Sequence, residues 1–286
     1  MRKKKMRRKT HRQGTMDKPT QLIIKGDVFF HYFRRDANAE AQRLYKEAIK
    51  LDASLSQPYA DLAYAQLTAW LYYWDPTMTG LDEALSNAKR AVANAKSRKE
   101  NEYYAQWILA DVHLYRRDFE LAKDTYEIAL DLAKTQAVEE EQRTMHVDWA
   151  DMLLLTGDPK QAIDLVTTAI QDSPVAERWY YWVLSWAYYA DQQYENSLQA
   201  MYKLGNPRNA MRKNIIANLV AIDPNSAQID AEVQRFLKEE SDQGIVYGDK
   251  GSSVWQTLAE VEKRVPFLET ARTSQWTNHL QSAFDK

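Results

Sequence analysis

A trio of residues on one helical face, small–aromatic–small at spacings of 0, +4 and +7, constrains this fold more than any other feature of the sequence. Its tightest copy is Ala122, Tyr126 and Ala129, within the stretch YYAQWILADVHLYRRDFELAKDTYEIALDLAK that starts at Tyr103. Those spacings fall on one side of a helix with 3.6 residues per turn. Alanine at two of the three places lets a neighbouring helix approach closely. Upstream, Leu109 and Ala110 lie in a first helix, and Asp118-Phe119 read as the turn between the two.

The same frame fits His146 to Pro174, with Ala150 in the first helix, a turn at Gly157-Asp158-Pro159, and Ala162 and Ala169 on the second. A further copy begins near Arg178, turns at Asp191-Gln192-Gln193-Tyr194 and continues from Glu195 to Leu204. Nearer the front, Ala41, Tyr45 and Ala48 precede Leu51-Asp52-Ala53, and Ala84, Ala88 and Ala91 follow. A period near 34 residues is the mark of helix-pair repeats. The array is uneven. Ala41 to Ala84 spans 43 residues, with the surplus in Trp70-Leu71-Tyr72-Tyr73-Trp74-Asp75-Pro76, and Ala122 to Ala162 spans 40, absorbed by an acidic connector at Glu139-Glu140-Glu141. A degenerate pair from Arg208 to Glu240 breaks at Asp223-Pro224-Asn225.

The expectation is an all-α protein, a right-handed α-α superhelix of about five helix-pair repeats with a C-terminal helical cap. Its divisions are a basic tail over 1–20, the array over 21–243, and a loop with capping helices over 244–286. Gly244 to Ser253 is read as the loop, and Val254 to Lys286 as two short helices split near Pro266 that cover the open apolar end of the solenoid.

Composition closes off several alternatives. The chain has no cysteine, which removes disulfides, thiolate metal sites and a cysteine nucleophile. Only eight Gly and eight Pro in 286 residues, without alternating strand patterns, argue against a sheet-rich fold. Eight Lys/Arg and no acid among residues 1–15, in a chain of net charge −2, leave the remainder at −10. That tail could touch nucleic acid or an anionic membrane surface weakly. A disordered tail, a cloning remnant, or a true start at Met16 is the plainer reading. No apolar segment follows the basic start, so it is no secretory signal and the cytoplasm is the expected location.

The stretch IIKGDVFFHYFRRDANAEAQRLYKEAIKLDASLSQPYADLAYAQL resembles the first repeats of the tetratricopeptide regions in bacterial class III-type adenylate cyclases and related transcriptional activators. RVPFLETARTSQWTNHLQSAF is similar, less closely, to the end of those regions. The resemblance covers residues 21–284 and implies an interaction or regulatory module. It implies neither catalysis nor DNA recognition, because nothing ahead of residue 21 could hold the cyclase or the winged-helix domain.

In such repeats the first helices line the concave wall. On this chain that wall would carry Tyr104, Trp107, Asp111 and Tyr115, then Val147, Asp151 and Leu154, then Trp179, Trp182, Trp186 and Tyr189, with Phe30 and Phe33 near its start. Aromatic side chains are frequent interface anchors, and Asp111 and Asp151 would favour a ligand bearing Lys or Arg. The plainer reading packs these aromatics against the C-terminal helices or a second subunit. Repeats that clamp a chaperone's carboxylate tail use Lys, Asn and Arg at these positions, which here hold mostly aromatics, aliphatics and Asp, so such a clamp is not expected.

Enzyme signatures are missing too. His11, His31, His113, His146 and His279 form no ligand pair, and Gly248 and Gly251 precede no Lys-Ser/Thr. His113 and His146 fall where satisfied, partly buried imidazoles are expected. The sequence therefore points to a non-enzymatic scaffold or adaptor that binds a protein or peptide partner and needs no cofactor. The alternative is the sensor module of a bacterial signalling system, binding a small molecule.

Overall fold

The computed structural model describes residues 16–72, 74, 80–173, 175–205, 207, 209–242 and 270–284. The basic tail, the loop at Gly244–Ser253, the segment 254–269 with Pro266, and parts of the 73–79 insert, Pro174 and Arg208 lie outside the described residues.

Thirteen α-helices, and no strand, make up the described residues. They are α1 (Lys18–Tyr32), α2 (Arg35–Leu51), α3 (Gln57–Leu71), α4 (Gly80–Arg98), α5 (Glu102–Tyr115), α6 (Phe119–Gln136) and α7 (Glu139–Thr156). After these come α8 (Pro159–Gln171), α9 (Arg178–Ala190), α10 (Tyr194–Lys203), α11 (Asn209–Ile222), α12 (Gln228–Asp242) and α13 (Thr270–Phe284). The chain divides into two compact units at Met145/His146, inside α7.

The face spaced 0, +4 and +7 is buried in the second helix of these pairs. Ala41, Tyr45 and Ala48 of α2, Ala84, Ala88 and Ala91 of α4, and Ala122, Tyr126 and Ala129 of α6 are all buried. In α10 the same spacing is carried by Ser197, Met201 and Leu204, also buried. In the first unit α1 packs on α2, α3 on α4 and α5 on α6, while α1, α3 and α5 also touch in succession. In the second, α8 packs on α9, α9 on α10, α10 on α11 and α11 on α12.

The turns repeat as closely as the faces. Asp118, Asp158 and Gln193 each donate their backbone N–H to the carbonyl five residues back, on His113, Leu153 and Tyr188 at 3.0, 2.8 and 2.9 Å. The residue before each is left-handed: Arg117, Gly157 and Gln192, with φ of 67°, 113° and 60°. This bond from beyond the helix end satisfies a terminal carbonyl and reverses the chain in a fixed geometry. Asp158 then caps α8, its carboxylate accepting from the Gln161 N–H at 3.0 Å with Pro159 opening the helix.

Two expectations are corrected. Glu139-Glu140-Glu141 is no connector: it forms the first turn of α7, where carboxylates favour the positive end of the helix dipole. His146 is exposed on α7, whereas His113 is buried with Nδ1 3.4 Å from an Asp118 carboxylate oxygen. Burial pushes the His113 pKa below the ordinary value, against the pull of Asp118.

Candidate protein-binding surface

The predicted wall residues part into two groups. Tyr104, Trp107, Asp111, Val147, Leu154, Trp179 and Tyr189 are buried, and so are not open surface positions. Tyr115, Asp151, Trp182 and Trp186 are half-buried.

In the first unit the buried members serve the packing. Tyr104 of α5 donates its hydroxyl to Asp61 of α3 at 2.5 Å, and Tyr126 of α6 donates to Asp111 of α5. Burial, then the neighbouring Asp61 carboxylate, holds the Tyr104 hydroxyl well above its ordinary pKa. Asp111 therefore presents no carboxylate to a basic ligand: its charge is turned inward, onto the phenol of its own helix pair. Phe30 and Phe33 are half-buried in an aromatic cluster. Phe30 lies 5.3 Å from Tyr64, and Phe33 lies 4.7 Å from Tyr72 and 5.1 Å from Trp74. Tyr72 and Trp74 thus cover the end of α1.

In the second unit the stripe of α9 is an aromatic chain. Trp182 and Trp186 meet edge to face at 5.6 Å, and Trp186 and Tyr189 at 6.2 Å. On the flank of the same helix, Lys203 of α10 lies 5.3 Å from the Tyr181 ring.

This stripe is not open along its whole length. The last described helix, α13, packs on α11 and α12, and its side chains reach back to α9 and α10. The Trp276 ring lies 5.2 Å from Trp186, and His279 Nδ1 lies 2.7 Å from the Tyr189 hydroxyl. Gln275 Nε2 donates to the Tyr194 hydroxyl at 2.8 Å. The C-terminal helix therefore does more than cap the last pair: it covers part of the predicted wall. Desolvation raises the Tyr189 pKa and lowers that of His279.

Sequence reasoning missed the anchors of α13, although their signal was present. Trp276, Leu280 and Ala283 repeat the spacing 0, +4, +7 and are all buried. It also missed two polar clusters of the second unit. Ser185 and Ser197 lie 3.0 Å apart at the hydroxyls, and Asn214 Nδ2 donates to Ser185 at 2.7 Å. Arg212 of α11 clamps Glu232 and Glu239 of α12 at 2.9 and 2.7 Å. Among the described residues no His, Asp or Glu group could hold a metal ion, and no helix is long and apolar enough to cross a membrane.

No protein-family model matches this chain, and no curated protein matches it. Solved structures do align with it. A thermophilic TPR protein from Thermus thermophilus aligns at TM-score 0.49 and 18% identity, over 77% of this chain and 99% of that one. pilF of Pseudomonas aeruginosa aligns at 0.47 and 12%, over 79% and 93%. The APC/C hetero-tetramer Cut9-Hcn1 aligns at 0.49 and 14%, over 77% and 46%.

Proposed function

We propose that this protein is a non-enzymatic scaffold or adaptor that binds a protein or peptide partner through the aromatic face of α9. One observation carries the reading. The face leaves Trp182 and Trp186 half-exposed and already receives a helix-borne indole, Trp276, 5.2 Å from Trp186. Laying a helix against an apolar face is a recurrent mode of peptide recognition, and tryptophans near the centre of such a face supply most of its binding energy. Asp151 of α7, half-buried in the same unit as α9, is a further contact position. The test is affinity capture by the full chain and by its Trp182→Ala, Trp186→Ala variant. Loss of a specifically captured protein supports the reading; equal capture by both removes α9 from it.

A further inference from the structure

The manner in which α13 is held says what the face is built to accept. Neighbouring described helices from α1 to α12 are joined by connections of eight residues or fewer, the longest lying between Leu71 and Gly80. Between Asp242 and Thr270, 27 residues intervene. No short turn joins α13 to α12, and among the described residues its contacts with the helices from α9 to α12 carry its placement.

Those contacts include a narrow apolar stripe, a ring contact of Phe284 with Phe236, and polar clips. Trp276, Leu280 and Ala283 are buried, and Thr277 satisfies its hydroxyl on the Thr273 carbonyl of its own helix at 3.0 Å. The clips are Gln275 to Tyr194 and Tyr189 to His279. Docking is also imperfect. The Trp276 indole N–H is buried without a hydrogen-bond partner, so α13 gives up its hydration there and recovers nothing. Beside it, the ring contact of Trp182 is to Trp186, and Trp182 stays half-exposed, so the face extends past what Trp276 covers.

We propose that the α9–α11 face is a receptor for an amphipathic helix, that α13 is its resident occupant, and that a partner helix of the same pattern takes its place. The pattern is an aromatic residue, an aliphatic residue four positions on and a small residue seven positions on. A partner that also spans Trp182 gains contact area that α13 leaves unused. The inference rests on the partner-binding reading above, and it makes the C-terminal helix the element that sets the affinity. As part of the same chain, α13 competes at high effective concentration, so an incoming helix binds the resting chain weakly.

The probe is a labelled synthetic peptide of residues 270–284, titrated by fluorescence polarisation into the full chain. Trp276→Ala in the full chain loosens the resident helix and is expected to tighten peptide binding at least tenfold over the unaltered chain; adding Trp186→Ala is expected to abolish the gain. Hydrogen exchange on the unaltered chain supplies a second reading that needs no variant to fold. Amides of α13 are expected to exchange at least tenfold faster than those of α9 and α11. Equal peptide affinity with and without Trp276, or α13 amides exchanging no faster than α9 and α11, overturns the proposal. Capture through Trp182 that persists while α13 proves fixed would sink this inference and leave the scaffold reading standing.

Discussion

Gly26 of α1 lies directly beneath the ring of Tyr45 in α2: a Cβ at residue 26 would meet that ring at 2.5 Å. The ring has no room to retreat. Tyr45 is buried and donates its hydroxyl to Asp27 at 3.0 Å, so the missing side chain at 26 is what lets the first pair close. Gly26→Ala should therefore destabilise the protein by about 1–3 kcal/mol through overpacking. Helix propensity alone would favour the substitution by roughly 1 kcal/mol. Chemical denaturation reads which effect wins, and a stabilised variant would contradict the packing described here.

The ion cluster of Arg212 gives a second prediction. Its guanidinium is buried between Glu232 and Glu239, both within 3 Å. Arg212→Leu takes the guanidinium from Glu239 and leaves Glu232 to Arg235 alone, and should cost about 3 kcal/mol. Adding Glu232→Gln and Glu239→Gln should recover much of that loss. A triple variant as unstable as the single one would show that the arginine matters for its packing alone.

Acidification should loosen α13 selectively. Burial depresses the pKa of His279 below its ordinary value, so the folded chain prefers the neutral imidazole. The unfolded or released helix binds a proton more readily. Stability from this group is thus fully present above the ordinary histidine range, and is lost as pH falls through the folded-state value. Among the described residues, Tyr189 and Tyr194 are the titratable side chains facing His279, and neither changes charge in this range. Hydrogen exchange of α13 should quicken between pH 7.5 and pH 5.5, and His279→Gln should flatten that dependence. An unchanged profile in the variant would assign the effect elsewhere.

A smaller effect tests the repeated turn. Asp158 accepts from the Gln161 N–H at 3.0 Å, and Asp158→Ala should cost about 1 kcal/mol. A change in the array's helix content on circular dichroism, beyond local fraying of α8, would contradict so local a role.

What the sequence made legible was local. The Ala122, Tyr126, Ala129 face and the turns at Asp118, Asp158 and Gln193 depend on residues within one helix pair, so spacing alone exposes them. Wall residues were harder to judge. Register says that Asp111 points off its helix toward one side, but not that Tyr126 covers it there. The cover over Trp186 comes from Trp276, 90 positions away, and no local pattern pairs the two. Glu139–Glu141 read as a connector because acids suggest solvent, while the dipole at a helix start favours the same residues.

On the reading proposed above, the aromatic face of α9 binds a helix and α13 now occupies it. Because the chain has no cysteine, Tyr194→Cys with Gln275→Cys places two unique thiols at the contact. A short cleavable bis-maleimide should join them within one chain. The joined protein should fail to bind the labelled 270–284 peptide, and cleaving the linker should restore binding. Failure of the two thiols to join, or peptide binding that is unaffected by the link, would contradict the account.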